Sequence, residues 1–359
     1  MLSSIALLVT ILPLGIWGLP FAPEQHKFFA KEVDPPKLTP SLDLDFPDPA
    51  IIKVRDLWYS FATSSNGVHI QMASSKDFKK WEIIRKDALP QLPPWVDTER
   101  PSVWAPDVIQ NDGGTFVMYF SATLRAHSAA HCIGLATSIS ITGPFTPLDR
   151  PYICPDPTGT NSLTTINPII ASPGRGGAID ASGFRDPSTG TRYVLWKVDG
   201  NSLTPSGTCG NAGQTKVPTP LMLARLGADG ITPHSSAPVV LLDRTDNDGP
   251  LIEAPSLTRL PDGRYALFFS SNCWNSANYD VAWATSHSIS GPFVRQDAVM
   301  RTGTGGLMAP GGASVASDGT HVVFHANRGK GRAMYATTLD ASLGGGSRLG
   351  LRMNLVDGV

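Results

Sequence analysis

The stretch EAPSLTRLPDGRYALFF, residues 253–269, decides the fold, because the chain repeats its plan. It starts with an acid and a proline, passes through a short apolar run, turns at Pro-Asp-Gly and returns as an aromatic-rich run. DPAIIKVRDLWYSF (48–61), WAPDVIQNDGGTFVMYF (104–120), DASGFRDPSTGTRYVLW (180–196) and APGGASVASDGTHVVF (309–324) follow the same plan. Short β-branched and aromatic runs bounded by Gly, Pro, Asp and Asn read as strands joined by turns. No long segment shows an apolar period of about 3.6 residues. A second signature follows: ASSKDFKKW from Ala73, ATSISITGPF from Ala136 and ATSHSISGPF from Ala284, with shorter echoes at Ala224 and Ala336. The repeat starts lie roughly 56, 76, 73 and 56 residues apart. A four-stranded unit cannot bury both faces alone, and five copies stacked radially can. The spacing predicts an all-β, single-domain, five-bladed β-propeller. A β-sandwich with chance likeness between strands would not repeat both signatures in order.

Composition supports turns over helices. Gly is 35 and Pro is 31 of 359 residues, and only 16% are charged. Lys plus Arg is 29 against 30 for Asp plus Glu, so there is no basic excess for a nucleic acid. Residues 1–22 carry no charged side chain, and the apolar run from Ile5 to about Trp17 resembles the core of a signal peptide. We expect a signal peptide over 1–20, an irregular Pro-rich lead-in over 21–45 and the propeller over 46–359. Pro13, Pro20 and the modest apolar length argue against a membrane anchor. The expectation is a secreted, extracellular monomer with no membrane partner after cleavage. Four cysteines without a C-x-x-C pair argue against zinc or thiol-redox chemistry and allow up to two disulfides. Cys132 with Cys154 is the first pairing to expect, since both fall in the second repeat.

In a propeller the first strand of each blade faces the axis, so the starts of the repeats converge. Repeats one, three and four start with Asp48, Asp180 and Glu253; repeat two starts with Trp104, and Asp107 follows it. Clustered carboxylates repel, so one can stay protonated while another is ionised. Glycoside hydrolysis uses such a set. Carboxylates also bind Ca²⁺, and Asp-Pro is common in turns. The recurrence at the start of three repeats favours the catalytic reading. Trp104 is the candidate sugar platform. Asp107 is a further candidate substrate contact, Trp274 and His127 are candidates for outer contacts, and Arg332 for a sugar hydroxyl or a carboxylate. Trp58, Trp196 and Trp283 lie inside strand runs and read as core. The pair His127 and His131 lacks a third metal ligand.

The motifs FPDPA (46–50), WAPDV (104–108), IDASGFRD (179–186) and EAPSL (253–257), together and in this order, resemble glycoside hydrolase family 43. The likeness runs from about Phe46 to Leu339. It implies a hydrolase of plant cell-wall pentosans such as arabinan and arabinoxylan. α-L-Arabinofuranosidase is the first choice, with β-xylosidase and endo- or exo-arabinanase beside it. It implies an inverting mechanism with Asp48 as general base, Glu253 as general acid and Asp180 raising and orienting that acid. A fructan hydrolase is disfavoured, since FPDPA and EAPS do not match its motifs. A non-catalytic carbohydrate-binding propeller is the alternative from another class. Many members carry a histidine in a GPGH sequence near a central metal ion. Here Ala309-Pro310-Gly311-Gly312 lacks it, which argues against a bound Ca²⁺. No cofactor is required for the chemistry.

Overall fold

The computed structural model describes residues 37–158, 160, 166–204, 207–344 and 348–354, with side chains as far as Asp340. The signal-peptide expectation and most of the lead-in lie outside these residues. No helix among the described residues is long and apolar enough to cross a membrane.

The described residues form five sheets, antiparallel except for one parallel pairing at the outer edge of the second, arranged as the five blades of a propeller. The inner strands are Ala50–Val54, Trp104–Gln110, Gly177–Arg185, Ile252–Arg259 and Gly311–Val315. Adjacent inner strands touch around the ring, the fifth closing on the first. Four blades hold four strands. The second holds six, because Ile153–Asp156 and Ile170–Arg175 add to it. The recurring signature, A-S-S in the first blade and A-T-S in the second and fourth, lies on third strands, Gln71–Ser75, His131–Ser138 and Ala282–Ser286.

Second strands such as Phe116–Thr123 and Tyr265–Ser271 are buried at every residue. Alternate side chains point to opposite faces, and each face meets a neighbouring blade. Met118 and Phe120 pack with Phe61 and Met72 of blade 1, while Val117 and Tyr119 pack with Val194 and Trp196 of blade 3. Leu195 joins Leu267 across the next seam, Phe268 joins Phe324, and Trp58 joins Val323. The core is thus five apolar clusters, one per seam. Trp58, Trp196 and Trp283 are buried within it. This explains why the strand runs read as continuously apolar rather than alternating.

The last seam is fastened by the end of the lead-in. Leu42 pairs with Met334, Phe46 N–H donates to Arg332 O at 2.8 Å, and both Leu42 and Phe46 are buried in the blade 5–blade 1 cluster. Two disulfides, Cys132–Cys154 and Cys209–Cys273, use all four cysteines. The first lies within blade 2. The second joins the loop after the second strand of blade 3 to the loop carrying Trp274.

Candidate active site

Each blade presents one residue in the left-handed backbone region at the channel: Asp48 (φ 51°), Ala105 (φ 41°), Asp180 (φ 58°), Ala254 (φ 54°) and Gly312 (φ 59°). For a non-glycine residue that conformation costs about 1 kcal/mol. In blades 2 to 5 the strand register shifts beside it, and such a bulge re-aims side chains.

The backbone N–H of each of these residues reaches a neighbouring blade. Ala105 donates to Thr63 Oγ1 (2.9 Å), Asp180 to Ser121 Oγ (3.1 Å), Gly312 to Ser270 Oγ (2.9 Å) and Asp48 to His325 Nδ1 (3.0 Å). These acceptors are equivalent residues at the ends of second strands. Ser121 lies opposite Trp104, Ser270 opposite Glu253 and His325 opposite Gly311. In blade 3 the equivalent residue is Lys197, opposite Ile179. An ammonium cannot accept a hydrogen bond, and Ala254 N–H donates to Asp180 Oδ2 instead, at 2.9 Å.

This alignment corrects one expectation. Asp48 and Asp180 share the left-handed position, but Glu253 stands one residue before it, in phase with Trp104, Ile179 and Gly311. The bulge and the longer side chain of glutamate still bring its carboxyl to the same cavity. That cavity, about 200 Å³, is lined by Asp48, Asp180, Glu253, Trp104, Trp274, Tyr279 and Arg332, with Ala105, Ile179 and Ala254 between them.

The three carboxyls have different surroundings. Burial works against ionisation of Asp48, but the Arg332 charge, with Nη1 at 3.0 Å, and the Thr63 hydroxyl at 2.6 Å outweigh it and hold it below the usual carboxylate range. Asp180 is pushed up to about 8, by burial first and the Glu253 charge second. Glu253 accepts from Tyr279 Oη at 2.9 Å and from Lys197 Nζ at 3.2 Å. Lys197 also meets Asp199 Oδ1 at 2.9 Å. Burial would neutralise this lysine, but the charges of Asp199, Glu253 and Asp180 prevail and raise its pKa.

The structure gathers Asp48, Asp180, Glu253, Trp104, Trp274 and Arg332 and leaves two expected residues out. Asp107 points toward the far end of the channel, where it lines a separate hollow of about 450 Å³ and accepts the Gly183 N–H at 2.7 Å. The register shift between Trp104 and Asp107 separates the two. His127 sits in a turn between the second and third strands of blade 2, half-buried and away from the cavity lining. His131 plays the nearer part: it stacks on Trp104, ring centroids 3.7 Å apart, and burial lowers its pKa to about 4. Trp274 lies over Arg332, whose guanidinium carbon is 4.9 Å from the indole centroid. Lys197 and Tyr279 were missed as site residues. A lysine inside the apolar run YVLWKV was the available signal for the first.

Position 312 has no room for the family's histidine: a Cβ there would lie 2.8 Å from the His325 ring. His325 reaches this place from the second strand of the same blade. Burial, then the Arg332 charge, lower its pKa to about 3, so the ring is neutral. Since Nδ1 accepts from Asp48, the ring proton sits on Nε2, which is buried without a hydrogen-bond partner among the described residues. Nε2 therefore carries a proton rather than a free lone pair. Among the described residues no three His, Cys, Asp or Glu side chains gather to hold a metal. This donor set does not fit Ca²⁺, which takes six to eight oxygen ligands.

Comparison with known proteins agrees with the repeat pattern. The chain is 24% identical over 295 residues to the extracellular endo-α-(1→5)-L-arabinanase 1 of Bacillus subtilis, covering 78% of this chain and 79% of that one. It is 37% identical over 111 residues to the extracellular endo-α-(1→5)-L-arabinanase of Thermotoga petrophila, a match spanning 27% of this chain and 22% of that protein. The crystal structure of a thermostable family-43 glycoside hydrolase shares the fold, with TM-score 0.66, 22% identity, and coverage of 88% of this chain and 95% of that one. The profile of glycosyl hydrolases family 43 matches residues 38–341, nearly the whole described propeller. The chain belongs to glycoside hydrolase family 43 and is a glycosidase.

Proposed function

We propose that this chain is a secreted, inverting α-L-arabinofuranosidase that removes single arabinose units from arabinan or arabinoxylan, acting as a monomer. The observation that carries this reading is the small cavity of about 200 Å³ with two differently protonated carboxyl sites on its wall. It is smaller than the roughly 300 Å³ at which drug-sized pockets begin, and so suits one sugar ring. Trp274 over Arg332 narrows one side. The extracellular arabinanases among the relatives support arabinose as the sugar and the outside of the cell as the place.

In this reading Asp48, ionised beside Arg332, accepts a proton from water as the water oxygen bonds to the anomeric carbon. The glycosidic C–O bond breaks, and the leaving oxygen takes a proton from Glu253. Burial, then the neighbouring Glu253 charge, push Asp180 up to about 8, so this wall of the cavity keeps a proton near neutral pH. Trp104, backed by His131, offers its face to the sugar ring.

The test is product analysis on nitrophenyl α-L-arabinofuranoside, nitrophenyl β-xyloside, debranched arabinan, arabinoxylan and xylo-oligosaccharides. Free arabinose should appear first, in the inverted anomeric form by proton NMR. Early oligosaccharides would show endo action, release of xylose alone would make it a xylosidase, and a retained anomer would overturn the mechanism.

A further inference from the structure

Four blades place a neutral hydrogen-bond acceptor at the end of the second strand: Thr63, Ser121, Ser270 and His325. Each takes the backbone N–H of the left-handed residue in an adjacent blade. Blade 3 breaks this pattern with Lys197. The break has a cost, because a buried cation must be compensated, and Lys197 is only 1% exposed. The break also has a consequence at one place: Lys197 Nζ crosses the seam to Glu253 Oε2, 3.2 Å away, while Asp199 Oδ1 holds it from the other side at 2.9 Å.

We propose that Lys197 is a positioning residue for the acid, its ammonium orienting the Glu253 carboxyl and setting the pH at which the Asp180–Glu253 pair gives up its proton. This deepens the reading of Glu253 as general acid and rests on it. As the proton moves to the leaving oxygen, negative charge develops on Glu253. Lys197 and the Tyr279 hydroxyl already point at that charge, which favours transfer without rearrangement. Asp180 acts in the opposite sense, because a like charge nearby favours retention of the proton. The remaining groups at the cavity are accounted for. Arg332 is engaged by Asp48 from blade 1, and His325 is neutral. Lys197 is therefore the cation in direct contact with the acid. Asp199 moderates it by sharing its charge.

The two partners give predictions of opposite sign. The basic limb of kcat/KM against pH reports the acid in the free enzyme. It should be measured on an unactivated oligosaccharide cleaved by wild type, α-1,5-arabinotriose on the present reading. Lys197→Met removes the cation, so the pair holds its proton longer. The basic limb should rise by about one unit or more, the usual effect of an opposite charge at this range. Asp199→Asn frees Lys197 to act more fully on Glu253, and the limb should fall. Lys197→Arg keeps the charge and should stay near wild type. An unmoved limb in folded Lys197→Met, or shifts of the same sign in Lys197→Met and Asp199→Asn, would overturn the proposal. If Lys197→Met does not fold, Asp199→Asn decides, and an unmoved limb there rejects the idea. Glu253→Gln separates the two levels. Full activity in that variant defeats the acid assignment itself, whereas an inactive Glu253→Gln with unmoved limbs elsewhere defeats only the role of Lys197.

Discussion

At Asp48, burial and ion pairing oppose one another, and the balance decides whether it can act as the proposed base at mild pH. Arg332 Nη1 lies 3.0 Å from its carboxylate, and Thr63 donates to the other oxygen. The base proposed at this position must be ionised, and Arg332 favours the ionised form. Arg332→Met should therefore raise the Asp48 pKa and move the acidic limb of kcat/KM to higher pH, by about one unit or more. An unmoved acidic limb would mean that Arg332 serves only the sugar. Asp48→Asn and Glu253→Gln should each lower kcat by about 100- to 10,000-fold, the usual worth of a positioned acid or base, with the denaturation midpoint little changed. The three acids were legible in the sequence because they open repeats. The one-residue offset of Glu253 was not, because a bulge changes phase without changing residue type. Lys197 was hidden for another reason. Its role depends on a contact across a seam with a residue 56 positions away in sequence, and no local pattern reports that.

At the scale of elements, the loop around Trp274 is held from outside its own blade. Cys273 is bonded to Cys209, and Asn275 Nδ2 donates to Thr208 Oγ1 at 3.3 Å. The bond anchors the residue next to Trp274, which is 40% exposed and rests on Arg332. Its backing comes from the tether and the guanidinium rather than from a core. Replacing both Cys209 and Cys273 by Ser should therefore raise KM several-fold for oligosaccharides while kcat falls less. Trp274→Ala should do the same without any effect of reductant. A double variant with unchanged KM would show that the loop keeps its place without the tether. The strand runs and turns of this region were readable from β-branched and aromatic residues. The bond between Cys209 and Cys273 was not, since the sequence allowed up to two disulfides without saying whether a second forms. Position within one repeat favoured only Cys132 with Cys154.

For the whole molecule, the fold was legible because the repeat itself states the architecture: five units, each lacking a partner for its faces. What the repeats do not state is how the ring closes. Here residues before the first repeat join the last blade, and the seam they fasten passes beside Asp48. Phe46 is fully buried there, and its N–H donates to the carbonyl of Arg332. Phe46→Ala should cost about 3–5 kcal/mol by leaving a cavity, read as a lower urea midpoint. Phe145→Ala, which empties the blade 1–blade 2 seam instead, should cost a similar amount. The two variants should differ in function under conditions where both are folded. Loosening the closing seam frees the strand that carries Arg332, so the acidic limb of Phe46→Ala should rise in the direction expected for Arg332→Met, by less. That of Phe145→Ala should stay in place. Equal limbs in the two variants would mean that the closing seam supports stability alone, and that Arg332 is held by its contacts with Asp48 and Trp274.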